Sequence, residues 1–188
     1  MALESVFLAV GVLLFLILLY LAITYNNLIS MRTRIETAWA QIDVFLKRRY
    51  DLIPNLVEAV KGYAKHEKET LENVMKARAG LIEGSVAERG GADSTVTQSV
   101  KSLFAVAEAY PNLKANENFL KLQEELVATE NSIAFVRIGY NDDALHYNIA
   151  LQAFPSSIIG NMFGFKPKEF FQAKEHERAA VKIDLKNV

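Results

Sequence analysis

Apolar positions change their spacing twice along the chain. Val6–Ile23 is an almost unbroken run of Leu, Val, Ile, Phe and Ala, and no charged residue occurs from Ser5 to Met31. From Leu28 the apolar residues recur at helical intervals: Leu28, Ile35, Trp39, Ile42 and Leu46, then Ile53, Leu56, Val60 and Tyr63. Ile35 and Ile53 lie eighteen residues apart, five whole turns at about 3.6 residues per turn, so the phase survives past Pro54. That predicts one long helix kinked at Pro54, with a break and a new helix beginning at Pro54 as the alternative. The helix is expected to continue through Val74, Met75 and Ile82 to Gly84, and residues 84–95, rich in Gly, Ser and polar residues, read as a linker.

A second helical stretch is expected from about Ser94–Thr95, carrying Val100, Leu103, Phe104 and Ala107 and interrupted at Pro111. The tripeptide Pro-Asn-Leu occurs at 54–56 and again at 111–113. Beyond it Phe119, Leu126, Ile133, Tyr140, Tyr147 and Phe154 fall at strict seven-residue intervals, with Leu122, Thr129 and Val136 at the complementary positions. This pattern predicts a coiled-coil or bundle helix. Leu28–Glu83 holds 56 residues and Asp93–Phe154 holds 62. Two such arms about a Gly-rich turn predict an antiparallel helical hairpin. Each arm would reach on the order of 80–90 Å if continuous, and less if folded into a four-helix bundle. The fold class is therefore all-α, with residues 1–27 as an anchor, 28–171 as the helical domain and 172–188 as a charged tail. In that tail Val181, Ile183 and Leu185 alternate, as a small strand or a disordered segment would.

The first apolar run is long enough to span about 30 Å of hydrocarbon. Tyr20 and Tyr25 suit an interfacial position. A cleaved signal would want a basic segment before the run and a small-residue cleavage site after it. No Lys or Arg precedes the run, and Thr24-Tyr25-Asn26-Asn27-Leu28 offers no such site. Arg32, Arg34, Lys47, Arg48 and Arg49 follow the run, whereas only Glu4 and the amino terminus precede it. Positive charge on the downstream side places the helical domain in the cytoplasm and the N-terminus outside.

Charge and composition narrow the chemistry. Residues 32–188 carry all 21 Lys and Arg and 21 acidic residues, a net charge of zero. That balance excludes a strongly basic nucleic-acid binder. The absence of cysteine excludes a disulfide framework, thiolate catalysis and Cys-based metal sites. His66-Glu67 lacks the second His four residues on that a zinc protease helix needs, since position 70 is Thr. Asp143-x-x-His146 has the spacing of di-metal bundle motifs, but only His66-x-x-Glu69, in reverse order, could pair with it. No Gly-rich phosphate loop follows a strand, and no catalytic, cofactor or metal residues are assigned.

Several longer motifs carry a resemblance. Lys47-Arg-Arg-Tyr-Asp-Leu-Ile-Pro-Asn-Leu56, Val60-Lys-Gly-Tyr-Ala-Lys-His-Glu67, Ala107-Glu-Ala-Tyr-Pro-Asn-Leu-Lys-Ala-Asn-Glu-Asn-Phe119, Tyr140-Asn141, Tyr147-Asn148 and Phe154-Pro155 resemble the LemA family from the anchor to about Phe171. The resemblance implies a bacterial single-pass protein of the cytoplasmic membrane with a helical-bundle domain and no established catalytic activity. It also implies a link to membrane proteolysis or envelope stress.

Two clusters stand out as candidate functional residues. In the phase of Ile35, Ile42 and Leu56, Arg49 falls on the apolar stripe, where a guanidinium must find a carboxylate or carbonyls. A hairpin symmetric about residues 88–89 sets Arg49 opposite position 128, with Thr129 and Glu130 within a turn. Arg48, Arg49, Asp51 and Glu130 are therefore read as a buried polar layer that fixes helix register, or as a site for an acidic partner or lipid headgroup. Asn131, Asn141 and Asn148 suit the same register role. The second cluster is Phe154, Phe163, Phe165, Phe170 and Phe171, in a segment broken by two prolines and two glycines. Equal arms return this segment to the height of the anchor, where it could cap the bundle, lie in the bilayer interface or pack on another protomer. The expectation is a membrane-surface segment mediating self-association, with Lys166 and Lys168 near headgroups. The function expected is a non-catalytic, membrane-anchored scaffold or adaptor that forms homo-oligomers and binds protein partners such as a membrane protease, without nucleic acid or cofactor. The alternatives are a metal- or ligand-binding bundle enzyme and a membrane-shaping or lipid-binding protein.

Overall fold

In a computed structural model of the chain, residues 2–82 and 84–171 are described, and they form an all-α protein. Helix α1 is Ala2–Lys61, α2 Lys68–Ala79, α3 Val86–Glu108, α4 Pro111–Lys114, α5 Glu117–Gln152 and α6 Ser156–Met162. The alternating residues 181–185 lie outside the described residues. The chain divides into two compact units, Met1–Trp39 with Gly139–Glu169, and Ala40–Ile138 with Phe170–Val188.

In the first unit, the apolar part of α1 is long and apolar enough to cross a membrane, and its side chains are exposed on every side. Phe7 and Leu8 keep about 70% of their surface (69% and 71%), the opposite of a core helix. Such a surface is stable against lipid, where every backbone group is satisfied within the helix. Burial begins at Leu28 and Ile35 on α1, which share a core with Tyr140, Ala144 and Tyr147 on α5 and Ile159 on α6. The Trp39 and Tyr140 rings lie 5.7 Å apart.

The second unit is a bundle of four helical segments: the C-terminal part of α1, then α2, α3 and the N-terminal part of α5. Ile42, Leu46, Ile53, Leu56 and Val60 of α1 are buried with Val74 of α2, Val96 and Leu103 of α3, and Phe119, Leu126 and Ile133 of α5. The seven-residue series holds through Tyr147 and fails at Phe154, which is 83% exposed because α5 ends at Gln152.

Two expectations about helix ends are corrected. The first arm does not run unbroken to Gly84, because α1 stops at Lys61. The amides of Tyr63 and Ala64 both donate to the Val60 carbonyl, a tightened last turn at Gly62 that sends α2 back alongside α1. Nor is 84–95 a linker. Gly84 takes the left-handed conformation, φ 102°, and α3 begins directly after it. Ser85 Oγ accepts from the Glu88 amide, and Glu88 Oε2 accepts from the Ser85 amide at 2.7 Å. This capping box satisfies two end groups and carries the helix through Gly90 and Gly91.

Pro54 lies inside α1, without a break, and the reason lies on α2. Proline has no N–H to give the carbonyl four residues earlier, that of Tyr50. Arg78 Nε donates to that carbonyl at 2.7 Å, while the guanidinium stacks 3.4 Å from the centre of the Tyr50 ring. One arginine thus supplies the missing donor and anchors α2 to α1. Pro111, by contrast, occupies the first position of α4, where its missing N–H costs nothing. Arg78→Met should destabilise the chain by about 1–3 kcal/mol, the cost of an unmet, partly buried carbonyl with its partner removed. In a Pro54→Ala background, where an amide can reach the Tyr50 carbonyl, the same change should cost clearly less. Equal losses in the two backgrounds, measured by urea unfolding in micelles, would show that the carbonyl is not what Arg78 serves.

Candidate functional site

Arg49 is the most deeply buried cation of the bundle, 2% exposed. Its position on the apolar stripe of α1 points it at α3 and α5. Nη1 lies 2.6 Å from Asp93 Oδ1 and 2.7 Å from Glu130 Oε2, and Nη2 donates to Thr97 Oγ1 at 3.0 Å. Thr97 follows Asp93 by one turn of α3. Its hydroxyl lies 3.0 Å from both the Asp93 carbonyl and Glu130 Oε1, so it can donate to either acceptor. Arg137, on α5, brings Nη1 to 3.6 Å from Asp93 Oδ2. Its guanidinium also lies 4.5 Å from the centre of the Phe171 ring. Two arginines thus face two carboxylates. The ion at Nη1 is shared, and Arg49 Nε finds no hydrogen-bond partner among the described residues.

The four residues read from sequence as a polar layer separate. Arg49 and Glu130 meet directly. Arg48 is exposed and lies 3.5 Å from Glu125, and Asp51 is exposed and pairs with Lys47 at 2.5 Å. Both flank the cluster on the outer face of α1, since neighbouring helix positions point about 100° apart. Thr129 is buried, but its hydroxyl donates to the Glu125 carbonyl and is not among the groups around the Arg49 guanidinium. Asp93, Thr97 and Arg137 are missing from the sequence reading. Asp93 was hidden in the supposed linker, and the signal that would have found it is Ser85-x-x-Glu88, a capping box that moves the start of α3 ahead of it.

Burial pushes the Asp93 carboxyl above its ordinary value. Arg49 and Arg137 oppose this, and Glu130 adds to it. No group of three His, Asp or Glu side chains comes together as a metal would require among the described residues. His146 is exposed and faces Asp142 at 3.7 Å. The cluster is a buried, shared ion pair.

The phenylalanine segment also divides. Phe171 is buried under Arg137, Phe170 is half-buried, and Phe154 is exposed. In the first unit, Phe163 and Phe165 place their ring centres 4.8 and 5.7 Å from that of Tyr25. The Arg32 guanidinium lies 5.8 Å from the Phe165 ring. Asn148 holds the following backbone at two points: Nδ2 donates to the Lys168 carbonyl at 2.9 Å, and Oδ1 accepts from the Lys168 amide at 2.8 Å. Tyr140 donates its hydroxyl to the Glu169 carbonyl. Lys166 is exposed, whereas Lys168 lies 3.7 Å from Glu36. Asn131 is exposed.

These features define a membrane-associated helical protein, with an apolar N-terminal helix and a bundle closed around a buried arginine. The chain belongs to the LemA family, whose sequence model matches residues 38–185. It is similar to Magnetosome protein MamQ 2 of Paramagnetospirillum magneticum, 26% identical over 181 residues, covering 82% of this chain and 66% of the relative. It is 25% identical to Magnetosome protein MamQ of Magnetospirillum gryphiswaldense over the same shares, so the chain spans about two thirds (66%) of these relatives. It is also 26% identical over 158 residues to Protein LemA of Metamycoplasma hominis, covering 83% of this chain and 72% of the relative. None of these names denotes an enzymatic activity.

Arg49→Met should lower the unfolding midpoint by roughly 10 °C, since stranding a buried carboxylate costs about 3 kcal/mol or more and a chain of this length loses ~2–4 °C per kcal/mol. The raised Asp93 value sets a pH sign. The folded chain holds that proton more tightly than the unfolded chain. Through Asp93, stability therefore rises as pH falls from the raised value to the ordinary one. Asp93→Asn removes this contribution, so the wild type should gain on the variant over that window in urea titrations. A gap that shrinks there would contradict the assignment.

Proposed function

We propose that the protein is a membrane-anchored, non-catalytic scaffold whose bundle docks a helix of a partner protein. A groove between α1 and α2 supports this reading best. It has a volume of about 650 Å³ and is walled by Pro54, Val57, Leu71 and Met75. Lys61, Lys65 and Lys68 stand at its rim, with Glu58 and Glu72. Glu58 is taken up by Lys61 at 3.2 Å, whereas Lys65 and Lys68 form no ion pair among the described residues. An apolar floor under unpaired ammonium groups matches an amphipathic helix with aliphatic anchors and carboxylates beside them. The partner is then an acidic helix of a membrane-associated protein, a class that includes membrane proteases.

Fluorescent model helices test the groove: leucines at i, i+3, i+4 and i+7, with glutamate or lysine elsewhere. The glutamate helix should bind the full chain in micelles and lose affinity on Met75→Glu, and the lysine helix should not bind. Equal binding of both, or binding indifferent to Met75→Glu, would remove the reading.

The basic residues after the apolar run support an N-terminus outside and a bundle in the cytoplasm. Because the chain has no cysteine, single Ser5→Cys and Lys121→Cys variants report without background. A membrane-impermeant maleimide added to intact cells should label position 5 and spare position 121. The reverse pattern would invert the topology.

A further inference from the structure

Helix α6 carries apolar residues on its outer side as well as on its inner one, with Asn161 also exposed. Ile159 and Gly160 face the core of the first unit and are 1% exposed and buried, respectively; a Cβ on Gly160 would stand 2.8 Å from Leu151 Cδ2, so the approach to α5 is close. Ile158 and Met162, one turn apart and on one face, are 57% and 59% exposed. Phe154 in the preceding turn and Phe163 just beyond the helix are also exposed, at 83% and 54%. A helix in water would carry polar residues on its outer side, and an apolar patch of this kind needs a cover.

The covering medium follows from where the patch sits. Val6 to Tyr25 is 20 residues, about 28 Å of helix from first to last, close to the hydrocarbon thickness of a bilayer. Tyr25 therefore marks the level at which α1 leaves the lipid. The Phe163 ring packs on Tyr25, so the C-terminal end of α6 lies near that same level. Arg32 stacks on Phe165, and Lys166 is exposed four residues past Met162, which ranges cations along the side nearest the headgroups. We propose that α6 is an interfacial helix: Phe154, Ile158, Met162 and Phe163 sink into the boundary between headgroups and acyl chains beside the anchor, and the bilayer rather than a second protomer covers them. This rests on the retained anchor of the proposed function and adds a second, independent contact with the same membrane.

The absence of native cysteine allows bimane labels at single Leu14→Cys, Ile158→Cys, Met162→Cys and Lys121→Cys positions of the full chain. The labelled chains are reconstituted in vesicles of phosphatidylcholine and phosphatidylglycerol and quenched with aqueous iodide or with nitroxide lipids. The label at 14 should be quenched by deep nitroxides, and the labels at 158 and 162 by shallow ones with loss of iodide quenching. The label at 121 should stay open to iodide. If 158 and 162 remain as iodide-accessible as 121 while 14 is lipid-quenched, α6 lies in water and the inference falls with the anchor intact. If 14 is not lipid-quenched, the anchor reading itself fails. If 158 and 162 are shielded from iodide yet untouched by nitroxide lipids, a second copy covers them and the inference is overturned.

Discussion

A guanidinium on the inward face of a helix imposes more on a fold than any single apolar contact. An apolar side chain tolerates many neighbours of suitable volume, whereas Arg49 accepts only an arrangement that delivers negative charge to it. α3 supplies Asp93 and α5 supplies Glu130, both within 2.7 Å of the same nitrogen. The two carboxylates repel one another across that nitrogen, and Arg137 balances them from α5. A slip of either helix by one residue would swing its carboxylate about 100° away and leave the charge buried without a partner. Such a buried pair adds little net stability over apolar packing, whereas removing one of its partners is costly.

The arginines of the bundle share a habit of serving two partners at once. Arg78 donates along its Nε–H to a carbonyl while its plane covers Tyr50. Arg137 reaches Asp93 while its plane covers Phe171. A planar, weakly hydrated cation can do both, and a lysine ammonium cannot. This explains how Phe171 becomes buried, at 2% exposed, although no regular element carries it.

How much of this was legible depends on whether the signal was periodic or local. The seven-residue series from Phe119 to Tyr147 and the stripe from Leu28 to Val60 are periodic, and both mark buried faces. The same phase singled out Arg49 as the inward charge and Glu130 as a partner near it. Asp93 escaped because two adjacent glycines and a run of small polar residues outweighed a capping box four residues long. Glycine disfavours a helix by about 1 kcal/mol, yet here the cap and the ion pair hold it. The stop at Lys61 escaped for the opposite reason. Pro54 is the stronger breaker by propensity, whereas Arg78, far away in sequence, replaces the hydrogen bond that proline removes. Tertiary donors of this kind leave no trace in a local window.

The segment after α6 shows the same division between what is periodic and what is placed. Gly164 and Pro167 disfavour a regular helix there, so its backbone groups need partners from elsewhere. Asn148 and Tyr140 provide them, and they lie eight residues apart on α5 rather than in the segment itself. Once residues 168 and 169 are tied to a helix, the rings at 163 and 165 are confined to a short reach, and Tyr25 lies within it. Phe171 apart, the apolar content of the segment is thus not fully buried in a core. Part of it meets the base of the apolar helix, and the rest is left facing outward by polar groups whose positions are set on α5. That separation, asparagine and tyrosine for placement and phenylalanine for contact, is what an element needs if its contact is to be with a surface the chain does not itself provide.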